Sequence, residues 1–327
     1  MNFKPNENFK YYMHFIEERM NIFWRRYNGE SAPYTEDKIL QNHKFTNVYR
    51  VLDRSSQYLL KSVIYNGKKY SKEEMVFRII LYKHFNLPST WDLLIKEFGD
   101  ITLNITEKEL SEFFKEKTNQ GKVIYSNAYM ITASFMRSEK IMGKFGLLPG
   151  MPKYQSYLRL IYKGLFEDGI MEEICSSKTM KQGFNSFKGL VGFADFLSYQ
   201  FVQDINYTEF FDFDDNSFCA AGPGTQRGIE RTFDIAGKAD YEQIVKWVYE
   251  NFEDLLQEYD YNFNPLPNHT PMVPDLSNCF CEVDKYMRGL GINTEEKKVK
   301  GKRIKQVFNE NKNKIDYFFP PKWNVEI

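Results

Sequence analysis

The feature that most constrains this fold is the spacing of apolar residues, which recur every three or four positions through segments of helical length. In residues 9–27, Phe15, Met20 and Phe23 fall on one side of a helix, and charged residues fall on the other. Alternation with a period of two, which marks a half-buried strand, is scarce. The pattern predicts an all-α, multi-helix fold. Further helices are predicted at 46–64, 71–85, 91–98, 106–118, 125–137, 153–175, 192–204, 225–235, 240–259 and 276–289.

The length and composition predict a folded chain with a large core. Of its 327 residues, 42% are hydrophobic and 17% aromatic, which is far from the composition of a disordered protein. No repeat or long linker divides it, so residues 1–290 are expected to form one helical domain or two packed lobes. Six cationic residues lie between Lys297 and Lys305, and residues 291–327 are therefore expected to form a basic C-terminal tail.

Charge and cysteine content exclude several classes of protein. The 44 Lys and Arg balance the 44 Asp and Glu, so a polyanion would have to bind a local patch. The four cysteines include no Cys-x-x-Cys pair, and neither a metal site nor a cofactor is expected. No uncharged run has the length of a membrane span, and the first ten residues lack the apolar core of a signal peptide. We expect a cytoplasmic protein.

A Gly-Pro-Gly turn formed by Gly222, Pro223 and Gly224 leads into a predicted helix. Backbone N–H groups at a helix N-terminus favour a phosphate, and Arg227 would add a charge-assisted contact. Helix-hairpin-helix elements bind DNA in this way. The alternative is an ordinary turn between two packed helices.

Three polar helix faces contain candidate site residues. The first has Gln200 and Asp204 four positions apart, followed by Tyr207. A second predicted face consists of Asn47, Arg50, Asp53, Arg54 and Gln57. The third consists of Asn278, Cys281, Glu282, Lys285 and Tyr286. Each face could equally be structural: a buried polar tie, a salt-bridged surface helix or an ordinary ion pair. Cys281 is a weak candidate nucleophile, since no histidine lies in a partner motif.

These segments, taken in order, resemble a known family. The resemblance rests on 15–19, 33–40, 45–50 with Asp53 and Gln57, 85–86 with 90–91, 199–207, 222–228 and 278–286. Together they look like the α-glutamyl/putrescinyl thymine pyrophosphorylase family, whose helical domain also occurs in 5-hydroxymethyluracil DNA kinases and is related to anti-phage DNA glycosylases. The resemblance implies an all-α domain, similar to helix-hairpin-helix DNA glycosylases, that acts on modified pyrimidines in double-stranded DNA. One departure is that no Val-Asp follows the Gly-Pro-Gly turn, only Asp234 and Asp240.

The resemblance leaves three functions open. The first is a glycosylase that flips a bulky modified pyrimidine out of the duplex and leaves an abasic site, with Asp204, Glu282 and Asp53, in that order, as candidate catalytic carboxylates. The second is a transferase that displaces pyrophosphate from a modified base and attaches an amino acid or a polyamine. The third is a non-catalytic reader of modified DNA. A P-loop is absent, so the chain is not expected to be the kinase itself. The residues expected to bind the base or the DNA are Asn47, Arg50, Arg54, Gln57, Gln200, Tyr207, Gly222, Gly224, Arg227, Asn278, Lys285 and Tyr286.

Overall fold

The computed structural model describes residues 3–126, 131, 138–235, 240–292, 304, 307–309 and 315–327. Within these ranges the fold is all-α, as predicted, and pairing between extended segments is limited to isolated bridges. The α-helices are α1 (Phe9–Tyr27), α2 (Lys38–Asn42), α3 (Arg54–Tyr58), α4 (Lys72–Phe85), α5 (Pro88–Phe98), α6 (Glu107–Asn119), α7 (Glu139–Phe145), α8 (Lys153–Tyr162), α9 (Ile170–Ser176), α10 (Met180–Gly189), α11 (Asp195–Asn206), α12 (Pro223–Thr232), α13 (Tyr241–Glu250), α14 (Phe252–Glu258) and α15 (Val273–Gly289). None of these helices is both long enough and apolar enough to cross a bilayer.

The chain forms two compact units. Unit 1 consists of Met1–Ser56 and Asp215–Ile327, and unit 2 consists of Gln57–Asp214. The domain boundary expected after residue 290 stays a prediction, as does the likeness to helix-hairpin-helix glycosylases. The six cationic residues of the predicted basic tail lie outside the described residues.

In unit 1, α12 packs closely against α15 because glycines face that helix. A Cβ atom on Gly228 would lie 2.0 Å from the carbonyl oxygen of Phe280, and one on Gly224 would lie 2.3 Å from Sγ of Cys281. On α1, the ring of Tyr12 stacks on that of Phe280 with centroids 4.1 Å apart. The small residues therefore let the two helix backbones approach, as in other close helix pairs.

In unit 2, two helices are buried along most of their length. Every residue of α4 from Met75 to Phe85 is buried, as is every residue of α11 from Leu197 to Asn206. Helices buried on all sides belong to the core of a large unit. A capping box starts α4, because Ser71 accepts the N–H of Glu74 and the Glu74 side chain accepts the N–H of Ser71.

Several predicted helix bounds were wrong. The segment 46–64 is not one helix: residues 45–49 are non-helical, a 3₁₀ turn spans Arg50–Leu52, and α3 begins only at Arg54. The helix predicted at 240–259 is divided at Asn251. In the segment predicted as a helix at 125–137, residues 125, 126 and 131 are non-helical, and the others lie outside the described residues.

Candidate functional site

One side of α15 presents acidic side chains to the segment 45–53 in unit 1. Asp275 and Glu282 are seven positions apart and therefore share this side. Asp275 accepts the N–H of Arg50 at 3.1 Å, and Glu282 accepts the N–H of Thr46 at 3.0 Å. Burial raises the pKa of Asp275 to about 7, although the two backbone N–H groups that it accepts oppose this shift. The non-helical segment is thus fixed at two points to α15.

Asp53 lies at the end of that segment and is held by one of its two oxygens. Its Oδ1 atom accepts the backbone N–H of Asn47 at 3.0 Å and the Asn47 side-chain amide at 2.9 Å. No donor among the described residues hydrogen-bonds to Oδ2. The side chain is half-buried. Asp53 is therefore oriented by Asn47 and retains an acceptor oxygen for a ligand.

The surroundings of Asp53 bring its pKa close to neutrality. Burial raises the pKa from 3.8 to about 6, the N–H of Asn47 and the charge of Arg19 oppose the rise, and the charge of Glu282 adds to it. A carboxyl group with a pKa near the working pH can both accept and return a proton.

Glu282 differs from Asp53 because a cation holds it. Lys285 Nζ donates to Oε2 of Glu282 at 2.8 Å, and this ammonium also lies 4.3 Å from the centre of the Phe45 ring. Glu282 and Lys285 therefore form the ordinary ion pair that the sequence left open as the structural alternative for the third polar face. Of the two carboxylates, Asp53 keeps an oxygen without a hydrogen-bond partner among the described residues, whereas Glu282 is paired with Lys285.

Arg19 on α1 is a site residue that sequence analysis missed. Its Nε donates to the carbonyl of Thr46 at 3.0 Å, and its two terminal nitrogens have no hydrogen-bond partner among the residues that the structure describes. Burial lowers the pKa of Arg19, while the charges of Asp53 and Glu282 raise it. The side chain therefore brings free N–H donors close to Asp53. Its position at the end of the matched segment 15–19 was the only sequence signal for it.

Two more arginines and a tyrosine complete this region. Burial, and then the charge of Arg26, lowers the pKa of Arg54. Burial raises the pKa of Tyr317, whereas Arg26, Arg54 and Arg19 lower it. We call Arg19, Arg26 and Arg54 the arginine cluster. The three guanidinium groups all act on the Tyr317 phenol, and a cluster of this kind suits a ligand that carries a phosphate.

In unit 2, Asp204 is fully buried in an ion pair. Its carboxylate lies 3.2 Å from Nζ of Lys83, and both side chains are at most 1% exposed. Gln200 and Tyr207 are also buried, as is Gln57 at the start of this unit. This setting favours a structural tie, so the geometry favours Asp53 over Asp204 as the catalytic carboxylate. The role predicted for Asp204 stays a prediction.

The Gly-Pro-Gly turn is engaged in packing. Gly222 is buried at the start of α12, and Gly224 lies against α15. Arg227 is half-exposed and its Nε lies 3.2 Å from the buried carboxylate of Asp284, which also binds Arg231 at 2.8 Å. Contact of this turn with a phosphate stays a prediction.

Three other candidates lie along α15. The Tyr286 hydroxyl donates to Asp37, and Asn278 is half-buried. Burial raises the pKa of the Cys281 thiol to about 11, which disfavours a thiolate nucleophile.

No group of metal-binding side chains occurs within the described ranges.

Comparison with known proteins gives two matches. The sequence model of the family described as "5-hmdU DNA kinase, helical domain" matches residues 6–295. A 5-hmdU DNA kinase of Bacillus phage SP10 is 23% identical over 319 residues, which cover 94% of this chain and 50% of that relative. The chain thus spans about half the length of the curated relative. No solved structure matches it.

Proposed function

We propose that this chain, which belongs to the family of 5-hmdU DNA kinase helical domains, is an enzyme that acts on a 5-hydroxymethyluracil-type base in DNA. The phage relative is named for a kinase reaction on 5-hmdU DNA, which supports DNA with this type of base as the substrate. The observation that carries the proposal is the geometry of Asp53. Its Oδ1 is fixed by Asn47, its Oδ2 is open, and its pKa is about 6.

Asp53 would act as the general base. Above pH 6 most of this carboxyl group is ionised, so Oδ2 can accept a proton from an attacking nucleophile. Asn47 would keep the carboxylate in place, because two of its N–H groups bind the same oxygen.

The arginine cluster favours group transfer at the 5-substituent of the base. In this reaction an amine attacks the methylene carbon at the 5-position, a C–N bond forms and the C–O bond to a phosphate-type leaving group breaks. The amine proton passes to Asp53, and the guanidinium groups stabilise the charge on the departing phosphate. This is the transferase that the sequence analysis ranked second.

Hydrolysis of the glycosidic bond is the second candidate. The open Oδ2 of Asp53 could position a water molecule for attack at the sugar carbon. We rank it below transfer because that reaction develops positive charge on the sugar, which nearby guanidinium groups oppose.

The test compares duplexes that contain one thymine, one 5-hydroxymethyluracil or one phosphorylated 5-hydroxymethyluracil, each with and without a diamine or an amino acid. Digestion to nucleosides and mass spectrometry should show an amine-dependent change of the phosphorylated base. Asp53→Asn should abolish it, whereas Asp234→Asn, at an exposed carboxylate, should not. Abasic sites would instead support hydrolysis. Binding without any change to the three bases would refute an enzymatic function and leave that of a reader.

A further inference from the structure

The last described segment of unit 1, residues 315–327, is held by aromatic contacts at two points. The ring of Tyr317 meets that of Phe23 on α1 with centroids 5.2 Å apart and planes at 77°. The ring of Trp323 stacks on that of His269 at 4.2 Å and 19°. Phe319 between them is buried. Since both ends are docked, the segment holds Tyr317 in a defined position.

The contact with Phe23 places Tyr317 over the side of α1 that contains Arg19 and Arg26. Phe23 is four positions after Arg19 and three before Arg26, so the three side chains lie on neighbouring turns of one helix side. The charges of both arginines and of Asp53 affect the pKa of the phenol, in agreement with this placement.

The Tyr317 side chain has capacity left for a ligand. Its other ring neighbour is Tyr27, with planes at 56°, and within the described part of the chain no ring is stacked on Tyr317. Its hydroxyl likewise makes no hydrogen bond to a described residue. A tyrosine without a stacked partner that lies within electrostatic reach of a proton-accepting carboxylate is suited to bind a flat polar molecule.

We propose that Tyr317 forms one wall of the Asp53 site and stacks on the modified base when the base leaves the DNA duplex. This inference rests on the proposed function and adds a substrate-binding residue to it. An enzyme that encloses a base in its active site must take that base out of the DNA duplex. Side chains of the enzyme then replace the neighbouring bases on which it was stacked. Tyr317 supplies the aromatic face, and the arginine cluster and Asp53 supply polar contacts around it.

The experiment uses fluorescence anisotropy to measure binding of the whole 327-residue chain to two duplexes that differ at one position, which is thymine in one and 5-hydroxymethyluracil in the other. Tyr317→Leu removes the ring and should weaken binding of the modified duplex about tenfold or more. It should change binding of the thymine duplex little. Tyr317→Phe keeps the ring and should stay within about threefold of the wild type for both duplexes.

Trp323→Leu is the matched control, because it removes the other aromatic anchor of the same segment. Thermal unfolding of all three variants shows whether unit 1 remains folded. Three outcomes would each overturn the inference. Tyr317→Leu could keep the wild-type affinity for the modified duplex, or its affinity could fall by no more than that of Trp323→Leu. The affinity of Tyr317→Phe could also fall as far as that of Tyr317→Leu. If the wild type binds both duplexes equally, this inference fails, whereas the proposed function is decided separately by the nucleoside assay on the phosphorylated base.

Discussion

The substitution Asp53→Asn should stabilise the protein while abolishing turnover. Burial raises the pKa of this group from 3.8 to about 6 in the folded chain. The folded state therefore binds the proton more tightly than the unfolded state does. The favourable contribution of the protonated group is complete below pH 3.8 and is lost as the pH rises through 6.

The size of the effect follows from the same shift. Two pKa units correspond to about 3 kcal/mol, and because solvent reaches the half-buried side chain we expect about 2 kcal/mol. Asparagine has nearly the same shape and keeps an oxygen that can accept the N–H of Asn47. At pH 8 the free energy of unfolding of the variant should thus be about 2 kcal/mol higher than that of the wild type. This advantage should shrink steadily between pH 6 and pH 4.

Urea unfolding at pH 8, 6 and 4.5 measures the free energy, and the nucleoside assay measures turnover on the same preparations. Asp234→Asn serves as the control, since its carboxylate is mainly exposed. An Asp53→Asn variant that is less stable than the wild type at pH 8 would refute the claim that the ionised carboxylate is poorly solvated in the fold. A stabilised variant that retains full turnover would instead remove Asp53 from the mechanism.

Three more variants test other parts of the protein. Gly228→Ala would drive a Cβ atom against the backbone of Phe280, so the free energy of unfolding should fall by about 3 kcal/mol or more in urea unfolding; unchanged stability would contradict the close packing. Asp204→Asn would leave the Lys83 ammonium buried without its anion, at a cost of about 3 to 5 kcal/mol in thermal or urea unfolding. A normally stable Asp204→Asn protein without turnover would restore Asp204 as the catalytic residue. In the third variant, Gln replaces the six cationic residues between Lys297 and Lys305. The dependence of log K for DNA binding on log salt concentration should become less steep by nearly one unit for each DNA phosphate that these side chains neutralise. An unchanged slope would show that the tail neutralises none.

The all-α fold could be predicted from the sequence because it depends on local signals. The helix from Lys72 to Phe85 shows this well, since Ser71 and Glu74 mark its start and Asn86 follows its end. The segment 46–64 shows the limit of such signals. Its polar residues have helical spacing, but the Asp53 carboxylate binds the backbone N–H of Asn47 and so competes with helix formation.

The candidate site could be predicted only in part. Asp53 and Glu282 were recognised as candidate acids, but ranked below Asp204, because a sequence does not distinguish a half-buried acid from one buried against Lys83 in another helix. Arg19 and Tyr317 come from opposite ends of the chain. Side-chain spacing reports only neighbours on the same element, so their approach to Asp53 is decided by tertiary packing alone.

The packing of α15 links the stability of unit 1 to the geometry of its site. Phe280 lies on the side of this helix that meets Gly228, while Asp275 and Glu282 lie on the side that binds the segment 45–53. The close contact at Gly228 leaves the helix little freedom to shift, so the two acids are presented from a rigid support. Residues 45–49 of the segment that ends in Asp53 are non-helical, and hydrogen bonds to these two acids position the segment. It follows that a change at Gly228, which faces away from the acids, should disturb the position of Asp53 as well as the stability of the unit.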